Sequence, residues 1–157
     1  MVTEGYIYDV KNKLAYFISQ ADATLQPQDD HVYLNWTTAI YKLTQANFPV
    51  VTLRIMPSAA RELVYGRKTK SNETGVFIIV SFTAHVFAMV KTTGNAKAKD
   101  AMDLADKIET ILLQSTDSAT GIQYIYDITK RESEPDRGAK RVSRIIMTGR
   151  ILVKKPL

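Results

Sequence analysis

The two histidines, His31 and His85, are the residues best suited to move a proton near neutral pH or to hold a metal. His31 follows Asp29 and Asp30, so carboxylates and an imidazole gather there. Adjacent positions in a polar turn lack the spacing of a rigid metal site, and the segment reads better as a solvated turn. His85 falls in the middle of an apolar run, on the more polar of its two alternating faces, where a structural or interface role fits better than catalysis. Glu132 and Glu134 could serve as paired carboxylates for acid–base work. They flank a stretch rich in Arg and Lys, and read as part of a salt-laced hairpin tip. No glycine loop of the GxGxxG or GxxxxGK[ST] type occurs, and no GxSxG elbow. The absence of cysteine removes disulfides, thiolate nucleophiles and sulfur-ligated zinc. The expectation is a protein that is not an enzyme and needs no cofactor or metal.

What remains is charge. The net charge is +5, and its distribution says more than its total. From Arg137 to the end stand Arg137, Lys140, Arg141, Arg144, Arg150, Lys154 and Lys155, with no acidic residue among them. Arg131 lies just before this arm, and a second cluster holds Arg61, Arg67, Lys68 and Lys70. Clustered cations attract phosphate. Binding of single strands also wants aromatic platforms among the cations, and none follows Arg137. Tyr124 and Tyr126 are near, but their spacing suits a buried or interface face equally well. A subunit-facing or solvated basic surface is therefore favoured over dedicated nucleic-acid recognition.

These residues need elements to position them. Tyr6 to Leu25 has helical periodicity through Ile7, Val10, Leu14, Phe17, Ile18 and Ala21, and Pro27 should end the helix. Trp36 to Phe48 could form a short helix capped by Asn35; a strand through His31–Asn35 is an alternative. Val50 to Met56 alternates as a strand. Ser58 to Glu73 reads as a projecting basic loop with a short strand near Leu63–Arg67. From Val76 to Val90 the even positions are uniformly apolar and should face the core, while the odd ones are mixed. Ala96 to Gln114 is a second helix, buried through Ala101, Leu104, Ala105, Ile108, Ile111 and Leu112, with Asp103 and Lys107 placed as an i,i+4 pair. Ile122, Tyr124, Tyr126 and Ile128 alternate, and Val142 to Lys155 forms a last strand. The two make a hairpin with a long polar tip. This order predicts an α+β domain over 1–157: a mostly antiparallel sheet, helices on one face, and a second half built from a long strand, a helix and a β-hairpin.

The second half carries a resemblance. Val76-Phe-Ile-Ile-Val-Ser-Phe leads to Ala101-Met-Asp-Leu-Ala-Asp-Lys-Ile-Glu, then Gly121-Ile-Gln-Tyr-Ile-Tyr-Asp, then Asp136-Arg-Gly and Val142-Ser-Arg-Ile-Ile-Met-Thr-Gly-Arg-Ile. In element order and size this resembles the tail terminator and related neck proteins of tailed phages. The resemblance implies a ring of copies, usually six, that caps the tail tube and meets the head-side connector. It implies as partners the chain itself, the tube protein, the connector and the DNA passing through the ring. Arg61, Arg67, Lys68, Lys70, Arg131, Arg137, Lys140, Arg141 and Arg144 become candidate contact residues. The alternatives are another virion component (head completion, tube or baseplate) or a small basic nucleic-acid-binding protein. With no signal-peptide pattern and no apolar stretch long enough to span a bilayer as a helix, a soluble protein is expected; the resemblance implies the virion as its location, and the host cytoplasm during assembly.

Overall fold

The computed structural model describes residues 3–34, 48–55, 61–64, 75–89, 99–133 and 142–156 of the chain. Helix α1 spans Thr3–Ser19. A 3-10 turn at Ala23–Leu25 and a one-turn helix α2 at Gln28–His31 lead into the two-residue strand β1, Val32–Tyr33. Strands β2 (Val50–Ile55), β3 (Arg61–Val64) and β4 (Gly75–Met89) follow. Helix α3 (Lys99–Gln114) precedes the hairpin of β5 (Ile122–Ser133) and β6 (Val142–Pro156).

The first helix stops sooner than its periodicity predicts. Ser19 Oγ donates to the Tyr16 carbonyl at 2.7 Å, and Gln26 Nε2 donates to the Ser19 carbonyl at 2.7 Å. The last turn is thereby satisfied at Ser19 instead of at Pro27. Asp22 then opens a new turn, because its Oδ1 accepts from both the N–H and the hydroxyl of Thr24. An aspartate that bonds its own neighbours competes with helix continuation.

Six strands form one sheet in the order β1-β2-β4-β6-β5, with β3 also paired to β4. Only the β1–β2 pairing is parallel. β2 and β3 share one edge of β4: β2 lies beside Phe82–Phe87 and β3 beside Val76–Ile79. On the other edge β6 follows β4 without a slip, from Gly75 opposite Pro156 to Met89 opposite Val142. The expected α+β architecture is observed: a mostly antiparallel sheet with its helices on one face.

Alternation in β4 decides which face is covered. Ile78, Val80, Phe82, Ala84, Val86 and Ala88 are buried, and β6 sets Val153, Ile151, Gly149, Met147 and Ile145 beside the first five of them. α3 packs over β4, β5 and β6, while α1 packs on β2 and against α3. Val10, Leu14 and Ile18 from α1 and Ala101, Ala105, Ile108 and Leu112 from α3 have no exposed surface. Each large side chain so buried contributes about 1.5–3 kcal/mol.

Two details of the hairpin depart from simple alternation. The β5–β6 register slips between Ile122 and Tyr124 and again between Tyr126 and Thr129. The first slip turns Ile122 and Ile125 inward and leaves Tyr124 and Tyr126 on the other face. Tyr124 is therefore 65% exposed and does not share a face with Ile122 as the sequence alternation predicts. The second slip contains Asp127, in the left-handed region at φ 58°. The possible Asn35 cap and nearly all of the expected Trp36–Phe48 helix lie outside the described residues.

Candidate interaction surface

The face of the sheet opposite the helices is built from the odd positions of β4 and the residues paired with them. Phe77 lies beside Lys154, Ser81 beside Arg150, Thr83 beside Thr148, His85 beside Ile146 and Phe87 beside Arg144. β2 adds Thr52 and Arg54, and β5 adds Tyr124, Tyr126, Thr129 and Arg131. No described helix packs on it.

This face has two regions. At its Met89 end it closes into a second small core, with Val50, Phe87 and Val142 buried and Tyr33, Phe48 and Met89 packed against them. Arg144 roofs that core. Its guanidinium sits 6.0 Å from the Phe87 ring centroid, and Nη2 donates to Ser133 Oγ at 2.6 Å. His85 stacks beside Phe87 at 6.2 Å between ring centroids. Burial, with Arg144 and Arg131 close by, pushes the His85 pKa below its ordinary value. The imidazole is thus neutral at pH 7, which suits packing and disfavours a cationic role. The mixed face of the long strand is therefore apolar core at one end and half-buried from Phe77 to His85.

Away from that core the face is mixed: Ile79 lies beside Leu152 toward the Gly75 end, and polar, aromatic and basic side chains occupy the middle and the level of His85. Arg54, Arg131 and Arg150 are exposed, and Lys154 is half-buried. Asp127 is the acidic side chain among them, 3.6 Å from Arg150. Thr129 and Thr148 hydroxyls share a hydrogen bond of 2.6 Å across β5 and β6.

The helix layer has the opposite balance. Asp9, Asp29, Asp30, Asp103 and Asp106 are all exposed there. Three lysines there are engaged with carboxylates, while Lys11 on α1 has its pKa lowered by burial and by the charge of Arg54. Lys13 lies 3.7 Å from Asp117, and Lys107 Nζ donates to Asp22 Oδ2 at 2.7 Å. Lys130, which points from β5 to the helix side, contacts both Asp106 and Glu109. Burial alone would lower the Lys130 pKa, but the two carboxylates outweigh it and raise it. The hydrogen bond from Lys107 depresses Asp22, and Asp22 in turn raises Lys107. Lys107 reaches back to Asp22, not to Asp103 one turn away as the helical spacing predicts.

The candidate contact residues separate. Arg61 opens strand β3 opposite Ile79, so it is part of the sheet and not of a loop. Arg131 is exposed on β5, and Arg144 is half-buried over Phe87. Arg67, Lys68, Lys70, Arg137, Lys140 and Arg141 lie outside the described residues. Residues 65–74 join Val64 to Gly75, at one end of β4, and residues 134–141 join Ser133 to Val142, beside Met89 at the other. Over a strand of 15 residues at ~3.3 Å per residue these ends are roughly 45 Å apart. Arg54, Arg150 and Tyr124 complete the exposed part of the face and are absent from the candidates chosen by clustering in sequence. They come together only through cross-strand register, which the sequence does not state.

His31 is not part of a metal cluster. Its Nδ1 lies 2.8 Å from the Pro49 carbonyl, a contact that ties α2 to the start of β2. Among the described residues no group of three histidine or carboxylate side chains is close enough to hold a metal ion. Also among them, no helix is long and apolar enough to cross a membrane.

No family model matches the chain, and no curated protein matches it. Among solved structures it is similar to a chain in the virion of a native gene transfer agent particle, at 17% identity and a TM-score of 0.46, over 90% of this chain and 92% of that one.

Proposed function

We propose that this protein is a structural subunit of a ring, six-membered by the family it resembles, at the head–tail junction of a tailed phage. There it caps the tail tube and presents a surface to the head-side connector. The observation that carries this reading is the β4–β6 ribbon. Two strands of 15 residues each pair along their whole length, well beyond the usual strand of about five or six residues. A subunit with two widely separated ends, and between them a sheet face on which none of the described helices packs, has distinct surfaces for a partner above, a partner below and neighbours at its sides. A junction subunit needs that division of surfaces. The reading assigns the protein no reaction. The DNA that passes through the ring is a further partner for the basic residues clustered in the sequence.

The test is electron microscopy of the purified protein, alone and mixed with tail tubes, after its mass has been measured by light scattering. Closed rings, or caps on tube ends, are the expected result. A monomer that leaves tubes undecorated would overturn the assignment. Decoration along tube sides would point to another component of the same particle.

A further inference from the structure

We infer that the basic sheet face of one copy, which none of the described helices covers, docks on the acidic helix layer of the next, so that copies associate front to back. This rests on the ring reading and specifies its interface. The argument begins with charge. Arg131 and Arg150 are exposed on the sheet face, Arg54 is exposed on β2 within electrostatic reach of Lys11 on α1, and Asp9, Asp29, Asp30, Asp103 and Asp106 are exposed in the helix layer. A face-to-face pair of sheets would set arginine against arginine, and a back-to-back pair of helix layers would set carboxylate against carboxylate. Only the front-to-back arrangement is complementary, and complementary patches steer association and fix its register.

Both surfaces also carry the side chains that anchor protein interfaces. Tyr124 is 65% exposed on the sheet face, while Tyr8 and Tyr16 are 59% and 46% exposed on α1. Tyr8, Asn12 and Tyr16 follow one another at helical spacing. Beside them a shallow recess of about 420 Å³ runs between α1 and the turn after Asp117, lined by Asp9, Asn12, Lys13, Tyr16, Ala119 and Thr120. Lys13 already lies 4.8 Å from the Tyr16 ring centroid, so a tyrosine from a neighbouring sheet face, with its hydroxyl toward Asp9, fits this recess better than an arginine. Two different patches meeting in this way make a heterologous contact, the kind that generates rings when its rotation closes. Pairing through the edge of β5 is disfavoured by the two register slips that bend that edge.

The test uses charge reversal at exposed positions. One variant carries Arg54→Glu and Arg131→Glu, and a second carries Asp9→Lys and Asp103→Lys. Unchanged circular dichroism and unfolding midpoint establish that each is folded. Light scattering and electron microscopy then follow assembly, with tail tubes present where wild type needs them as a template. Each variant alone is expected to lose at least tenfold in assembly, and an equimolar mixture of the two to recover it. If wild type assembles and both variants assemble equally well, the front-to-back contact is overturned while the ring stands. If wild type forms no ring, with or without tubes, the ring reading falls and this inference with it. If the arginine variant instead loses salt-dependent affinity for DNA, while the aspartate variant assembles normally, the face is a nucleic-acid surface and the inference is again overturned.

Discussion

The ring of Phe82 lies across the backbone of Gly149 on the neighbouring strand, so that a Cβ built at position 149 would stand 2.6 Å from the ring's Cε1 and Cζ. The glycine leaves a gap in β6 that the phenylalanine fills, and Ile128 bounds the same gap from β5 at 3.2 Å. Phe82 is 2% exposed and cannot swing aside into solvent.

Gly149→Ala is therefore expected to destabilise the fold by about 1–3 kcal/mol, the usual range for an overpacked core. Urea unfolding measures it. In a Phe82→Leu background the alanine should cost much less, because the obstructing ring is gone. Additive costs would show that Phe82 and position 149 are not coupled.

Lys107 should be coupled to Asp22 more strongly than to Asp103. A double-mutant cycle on Asp22→Asn and Lys107→Met should return a larger interaction energy than the same cycle on Asp103→Asn and Lys107→Met. Both pairs are exposed to solvent, so raising the salt should shrink the difference.

Asp22 and Asp117 both have pKa values held below the ordinary range, the first by the hydrogen bond from Lys107 and the second by that from Thr120. Their contribution to stability is complete above the unfolded-state aspartate value, about 3.9, and is lost as pH falls through their lower folded values. Acid unfolding of Asp22→Asn is expected to show a shallower slope below about pH 4 than wild type. An unchanged slope would sink this assignment.

His85 works at a different pH and in the sense expected of a depressed base. Because its folded pKa lies below the unfolded value of about 6.5, the unfolded chain binds the proton first, and stability falls as pH drops below about 6.5. His85→Gln should flatten the stability profile in that window. Replacing Arg144 with glutamine should raise the His85 pKa as followed by NMR, since one nearby positive charge is removed.

Much of this fold was legible because its signals are local. The even positions of β4 are uninterruptedly apolar, and the stripes of α1 and α3 recur at helical spacing, so burial of Val80, Leu14 and Ile108 follows from pattern alone. What the sequence hid is set by pairing. Alternation alone puts Tyr124 on one face with Ile122, and only the slip at the start of β5 separates them. Alternation alone puts Phe87 on a mixed face, and only pairing brings Val50 and Val142 beside it. Arg54 and Arg131 are far apart in sequence and join one surface only because β4 and β6 lie between their strands. The same holds for Asp22 and Lys107, whose partnership crosses from the turn after α1 to α3. Clustering along the chain selected cations near loops; the folded sheet selects cations by face.

The two slips in β5 also bear on how the protein survives its own concentration. Assembly of a multi-copy structure gathers identical chains at high local density, where a straight exposed strand invites the next chain to extend the sheet without limit. β5 is a strand of 12 residues with one neighbour, and it would be such an invitation were it flat. Bent at Tyr124 and again around Asp127, and carrying Lys130 and Arg131, it offers a second copy no long run of aligned donors and acceptors. On the ring reading, growth by strand addition is disfavoured at this edge, and association falls to surfaces that close.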